Sequence, residues 1–213
     1  MTRIIVADDH TLVRAGICAL LNSQKDFQVI AETGNGKETV ELCERLKPDI
    51  LLLDLSMPEM DGLEATKSIL SSNPSIKIVV LTMYENEEYA TRLINAGAKG
   101  FLVKRMSPDE LPDSIRKVVA GEVCITDSIM RQIALRKTSS GDQSPLSLLS
   151  DRELQIFHNL ARGLSGVQVS DELDLSPSSV ATYKSRIMDK LGLKNQAELM
   201  RFALRLGLID KFE

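Results

Sequence analysis

Four short apolar runs, each closed by a polar side chain able to handle charge, constrain this chain more than any other feature of it. They are Ile4-Ile5-Val6-Ala7 before Asp8 and Asp9, Ile50-Leu51-Leu52-Leu53 before Asp54, Ile76-Lys77-Ile78-Val79-Val80-Leu81 before Thr82, and Phe101-Leu102-Val103 before Lys104. A fifth run, Gln28-Val29-Ile30-Ala31, ends in no such residue. Runs of this length and composition, alternating with helical patterns, predict parallel strands in βαβ units. In an open α/β sheet, ligands bind beyond the carboxyl ends of the strands. Four strand ends therefore bring three carboxylates, one hydroxyl and one ammonium into a small space.

The charge of that cluster limits its chemistry. Three carboxylates do not share a few ångströms unless a cation or a proton intervenes. Hard oxygen donors favour Mg²⁺, which keeps several waters and accepts phosphate oxygens. A carboxylate beside Mg²⁺ and an ammonium can attack phosphorus and become an aspartyl phosphate. Thr82 then donates to a phosphoryl oxygen and Lys104 balances its charge. Taken singly, each residue reads better as a polar strand terminus. Five at matched strand ends reverse that balance.

Three stretches bear a family resemblance. Val6-Ala7-Asp8-Asp9-His10, Leu53-Asp54-Leu55-Ser56-Met57-Pro58-Glu59-Met60-Asp61-Gly62 and Ala96-Gly97-Ala98-Lys99-Gly100-Phe101-Leu102-Val103-Lys104 closely resemble bacterial two-component receiver domains, over residues 1–122. The resemblance implies a flavodoxin-like, doubly wound five-stranded sheet, with Asp54 as phosphoacceptor. It implies Mg²⁺ held by Asp8, Asp9, Asp54 and the backbone carbonyl of Ser56, and Thr82 with Phe101 as the switch pair. The family often places a cis proline after the lysine; Arg105 stands here, so no cis peptide is expected.

The rest of the composition is compatible. At 213 residues the chain suggests one or two domains, and 43% hydrophobic with 26% charged residues is ordinary globular material. No apolar run approaches the roughly 18 residues of a membrane span, and the N-terminus has no signal-peptide core. A cytoplasmic protein without a membrane partner is expected. Cys18, Cys43 and Cys124 show no metal-ligand spacing and read as idle thiols of a reducing compartment. His10, opening the first βα turn, and His158, within a helix, both read as structural.

The organisation breaks once. Thr126-Asp127-Ser128 starts an amphipathic stretch to about Leu135, and Lys137-Thr138-Ser139-Ser140-Gly141-Asp142-Gln143-Ser144-Pro145 has a linker composition. Residues 123–145 are thus read as linker helix and flexible linker. Residues 1–145 hold 17 Lys/Arg against 21 Asp/Glu, or −4, whereas residues 146–213 hold nine of each. Four helices fit the second segment. Ser150-x-x-Glu153 boxes the first, which ends at Gly163; the second spans 166–173; Ser176-Pro177 opens a third that stops at Gly192; the fourth spans 195–206. A small all-α four-helix domain over residues 146–213, with a helix-turn-helix at its centre, is predicted. Between Lys184 and Arg205, six Lys/Arg against two Asp/Glu leave a local +4 on a neutral domain, a footprint suited to phosphate backbones.

Leu149-Ser150-Asp151-Arg152-Glu153, Ala161-Arg162-Gly163-Leu164-Ser165, Leu175-Ser176-Pro177-Ser178-Ser179-Val180-Ala181-Thr182-Tyr183-Lys184-Ser185-Arg186-Ile187 and Lys190-Leu191-Gly192-Leu193 resemble the LuxR-type DNA-binding domain. The whole chain is therefore similar to NarL/FixJ-family response regulators. That resemblance implies a sensor histidine kinase as phosphodonor, double-stranded DNA as target and a homodimer on activation. It puts Ser178, Ser179, Ala181, Thr182, Tyr183, Lys184, Ser185, Arg186, Lys190 and Lys194 at the DNA, with Ala181, Thr182 and Ser185 toward the bases. Three places depart from the family pattern: Gly166-Val167-Gln168-Val169-Ser170 replaces the usual Asn-Lys-Glu-Ile-Ala, Ala181 stands where lysine is common, and Tyr183-Lys184 stands where a histidine often precedes an apolar residue. A different class, a phosphatase turning over an aspartyl phosphate, needs a second Asp two residues past the nucleophile as acid/base. Position 56 is Ser, so a regulator rather than an enzyme is expected.

Overall fold

The computed structural model describes residues 1–55, 57, 59–83, 87–138, 144–173, 175–206 and 208–209. The chain divides into two compact units, one of Met1–Met83 with Ala90–Met130, the other of Tyr84–Tyr89 with Arg131–Glu213.

The first unit is built on strands β1 (Thr2–Ala7), β2 (Phe27–Thr33), β3 (Ile50–Asp54), β4 (Lys77–Thr82), β5 (Gly100–Val103) and β6 (Cys124–Ile125). All pair in parallel, in the order β2-β1-β3-β4-β5-β6. Helices α1 (Thr11–Asn22), α2 (Gly36–Leu46), α3 (Gly62–Ser72), α4 (Glu87–Asn95), α5 (Glu110–Val119) and α6 (Asp127–Thr138) follow the strands in turn, α6 belonging to the second unit from Arg131 onward. The doubly wound parallel sheet expected from the sequence is present, with one addition. The sequence predicts five strands; the sixth is two residues long, Cys124 pairing with Gly100 and Ile125 with Phe101. A run that short has no periodicity to read. It is held by an edge: the amide nitrogens of Cys124 and Thr126 donate to the carbonyls of Lys99 and Phe101.

The strands are apolar on both faces because both are covered. Ile4, Val6, Ile50, Leu52, Val79, Leu81 and Leu102 form one face, packed with Leu21 of α1 and with Leu111, Ile115 and Val118 of α5. The alternate residues Ile5, Leu51, Leu53, Ile78, Val80 and Phe101 are buried too. This period of two fixes which residue of each run reaches the strand end. The chain reverses direction across the sheet at β1, which pairs with both β2 and β3. The crevice outside that switch point is where such sheets place ligands. Gly62, the first residue of α3, lies so close to β3 that a Cβ there would sit 2.6 Å from the Asp54 carbonyl oxygen. Only glycine lets the helix approach. No cis peptide occurs among the described residues, as the Arg105 position predicts.

The second unit is helical: a 3₁₀ turn (Pro145–Leu148), then α7 (Asp151–Ala161), α8 (Gly166–Glu172), α9 (Pro177–Leu191) and α10 (Gln196–Arg205). Its boundaries are written in local chemistry. Ser150 and Glu153 close a reciprocal capping box on α7, and Ser176 accepts from the Ser179 amide with Pro177 in the first turn of α9. Gly192 ends α9 in the left-handed conformation, φ 65°. The unusual second helix is also boxed: the Ser165 amide donates to Gln168 Oε1 at 2.9 Å, and the Gln168 amide to Ser165 Oγ at 3.3 Å. Gln168 thus closes the box at the position where the family pattern has Glu. Residues 139–143 of the expected linker lie outside the described residues.

Candidate functional site

The pocket at the carboxyl ends of β1, β3, β4 and β5 gathers the residues the sequence singled out. Asp8 follows β1, Asp54 is the last residue of β3, Thr82 the last of β4, and Lys104 follows β5. Asp8, Asp54 and Thr82 are buried. The Lys104 Nζ lies 2.8 Å from Asp8 Oδ2 and 2.9 Å from Asp54 Oδ2, its side chain only 6% exposed. The Lys104 amide donates to the Thr82 carbonyl at 2.7 Å, which ties the hydroxyl-bearing residue to the lysine. Phe101 is wholly buried in β5. The Ser56 carbonyl lies outside the described residues.

Burial sets the electrostatics. It pushes the Asp54 carboxyl up to about 6; Lys104 pulls it down, and Asp8 and then Asp9 push it up again. For Lys104, burial works against the charged form, but the combined attraction of Asp54 and Asp8 outweighs it, and the net shift is upward. Three carboxylates against one ammonium leave the pocket short of positive charge. Asp8, Asp9, His10 and Asp54 each offer a donor atom, all within 4.8 Å of one another. That donor set suits a divalent ion, and its oxygen part suits Mg²⁺.

Two contributors escaped the sequence reading. His10, by its sequence context a structural residue, has its Nδ1 2.5 Å from Asp9 Oδ1, 3.4 Å from Asp8 Oδ1 and 3.9 Å from Asp54 Oδ2. Its adjacency to the acid pair was the available signal. Arg14, one turn into α1, donates from Nη1 to the Asp8 carbonyl at 2.5 Å and lies near Glu32 of β2. It holds the backbone of the acid pair in place, and nothing in its spacing announces that.

In the second unit, Val180 and Ile187 of α9 are buried, and the helix turns Ser178, Ala181, Thr182, Ser185 and Arg186 outward. Ser179, Tyr183 and Lys184 are half-buried. The Arg186 guanidinium lies 5.9 Å from the Tyr183 ring centroid. Lys194 is exposed. Lys190 is engaged within the unit: its Nζ lies 2.6 Å from Glu153 Oε2. With the capping hydrogen bond from the Ser150 amide, that pair outweighs the burial of Glu153 and lowers its pKa. It also fastens the end of α9 to the start of α7. Val167, where the family commonly has lysine, is 61% exposed.

The comparisons agree with this geometry. The family described as "Response regulator receiver domain" matches residues 4–116. "Bacterial regulatory proteins, luxR family" matches residues 147–203. The response regulator GacA of Pseudomonas aeruginosa is 40% identical over 211 residues, covering 99% of each chain. A solved structure of the Salmonella typhimurium response regulator RcsB aligns with a TM-score of 0.76 at 26% identity, over 97% of this chain and 98% of that one. RcsB from Salmonella enterica serovar Typhimurium, bound to promoter rprA in the presence of phosphomimetic BeF3-, aligns at 0.70 and 25% identity, over 95% and 98%. The chain belongs to the two-component response regulators of the NarL/FixJ family, a receiver domain joined to a LuxR-type helix-turn-helix domain.

Proposed function

We propose that Asp54 accepts a phosphoryl group from a sensor histidine kinase in the cytoplasm, and that this switches a homodimer into sequence-specific binding of double-stranded DNA to control transcription. The observation that carries the reading is the buried Asp8–Lys104–Asp54 arrangement at converging strand ends. An Asp54 oxygen attacks phosphorus, the bond to the histidine nitrogen breaks, and that nitrogen takes up a proton. Asp8, Asp9, Asp54 and the Ser56 carbonyl would hold Mg²⁺, which neutralises the oxygens in transit. Lys104 then leaves its shared position between Asp8 and Asp54 to pair with the phosphoryl group, and Thr82 donates its hydroxyl to it. Phosphorylation brings close to two negative charges to a buried site. Phe101, packed beneath, responds as Thr82 moves, which biases the face used for dimer contacts.

Domain boundaries at residues 1–122, 123–145 and 146–213 follow from this reading. The binding of RcsB to promoter DNA with a phosphomimetic supports its second half. On DNA, α9 occupies the major groove with Ala181, Thr182 and Ser185 toward the bases. Lys184, Arg186 and Tyr183 face phosphates, with Lys194 and Lys190 at the flank. None of the base-facing three is a long bidentate donor, so direct readout is modest. Incubating the full chain with a small-molecule phosphodonor and Mg²⁺ should add one phosphoryl mass, and Asp54→Asn should abolish it. Undiminished labelling of that variant overturns the assignment.

A further inference from the structure

The hydroxyls at the start of α9 are committed to the helix itself. Thr182 Oγ1 donates to the Ser178 carbonyl at 2.9 Å, one turn back. A threonine bonded in this way presents its γ-methyl, not its hydroxyl, to whatever lies outside the helix. Ala181, beside it and also exposed, carries a methyl and nothing more. The serines that precede them are tied together at the cap. Ser176 Oγ lies 2.8 Å from Ser178 Oγ and 2.8 Å from Ser179 Oγ, and it accepts from the Ser179 amide at 3.1 Å. Ser185 has a hydroxyl that both donates and accepts, so it tells one base edge from another poorly. Arg186 holds its guanidinium 5.9 Å from the Tyr183 ring centroid.

The major groove has one apolar feature that marks a base, the 5-methyl group of thymine. We propose that Ala181 and Thr182 select DNA by methyl-on-methyl contact with thymines in the major groove, and that the Thr182 hydroxyl takes no part in reading bases. This rests on the proposed placement of α9 on DNA and goes further by naming the group that is read. To donate to a base edge, the Thr182 hydroxyl must first leave the Ser178 carbonyl, and it gains one hydrogen bond for the one it gives up. Burying its methyl against another methyl needs no such exchange and releases water from both. Successive helical residues point about 100° apart, so the two methyls reach two different base pairs.

The probe is duplex DNA enriched from a random-sequence pool by the full chain treated with phosphodonor and Mg²⁺. Thymine is then replaced, one position at a time, by uracil, which lacks only the 5-methyl group. At two positions the replacement should weaken binding about fourfold, the worth of one buried methyl group. Thr182→Val keeps a methyl and discards the hydroxyl; it should retain the wild-type affinity and both uracil penalties. Thr182→Ser keeps the hydroxyl and discards the methyl; it should lose about fourfold and become indifferent to uracil at one of the two positions. Both variants should bind random DNA as the wild type does, which reports that they are folded. Uracil tolerated at every position overturns the proposal, as does a sequence preference lost in Thr182→Val and kept in Thr182→Ser. A pool from which no sequence is enriched fails one step earlier: it removes the DNA reading itself, and the methyl contact with it.

Discussion

The strand-end pocket and the outer face of α9 hold their polar groups in opposite ways. In the pocket, Asp8, Asp54, Thr82 and Lys104 come from four different strands and are almost completely removed from water. On α9, Ser178, Ala181, Thr182, Ser185 and Arg186 come from two turns of one helix and point outward. The difference teaches where energy is stored. A buried charge imbalance is expensive and responds sharply to one added or removed charge. An exposed helical face costs little and changes its affinity by small increments, each phosphate contact counted through released counterions.

The largest expected effect sets the two units against each other in pH. His158 of α7 is buried, which together with Arg162 lowers its pKa to about 3 from 6.5. The unfolded chain therefore takes up this proton first. Its contribution to stability is complete above about pH 6.5 and is lost as pH falls toward 3, by up to about 5 kcal/mol. Urea unfolding across that range should show the loss, and His158→Gln should flatten it. An unchanged slope in that variant would place the acid sensitivity elsewhere.

Asp54 runs the other way. Its carboxyl is raised to about 6 from 3.8, so the folded pocket takes up the proton first. Stability from this group is complete below about pH 4 and is lost as pH rises through 6, by about 3 kcal/mol. In a chelator, Asp54→Asn should be more stable than the wild type at pH 8 by about that amount, and the gap should close below pH 4. Equal stability at pH 8 would mean that Lys104 already offsets the burial.

The smallest effects belong to α9. Lys184→Ala should weaken binding to specific and random DNA alike and lower the salt slope by about one unit. Lys190→Ala should act mainly through its pair with Glu153, in which the lysine is 40% exposed and the carboxylate only 5%, costing roughly 1 kcal/mol in the stability of the helical unit. If Lys190→Ala lowers the salt slope as much as Lys184→Ala does, its ammonium leaves Glu153 for the DNA, and the comparison between the two lysines collapses.

Much of this was legible because it is local. Strand runs show the period of two, and helix ends show their caps: Ser150 with Glu153, Ser176 with Pro177, and Gly192. What escaped depends on partners far along the chain. The sixth strand exists because β5 offers an edge to two residues. Arg14 matters because the turn after β1 brings the Asp8 carbonyl within its reach. Lys190 reads as one more cation of a basic stretch until α7 supplies Glu153.

The sequence by itself determined the type and order of the elements, the residues that stand at strand ends and the helix that faces outward. These follow from periodicity and from backbone groups satisfied within a few residues. Tertiary structure alone decided how closely those strand-end groups meet, and in what charge state. Distances between Asp8, Asp54 and Lys104 depend on strand order and register, and the loss of water that raises Asp54 depends on every helix packed over the sheet. His10 shows the division most plainly: its place in the sequence is beside an acid pair, but only the folded turn aims Nδ1 at three carboxylates.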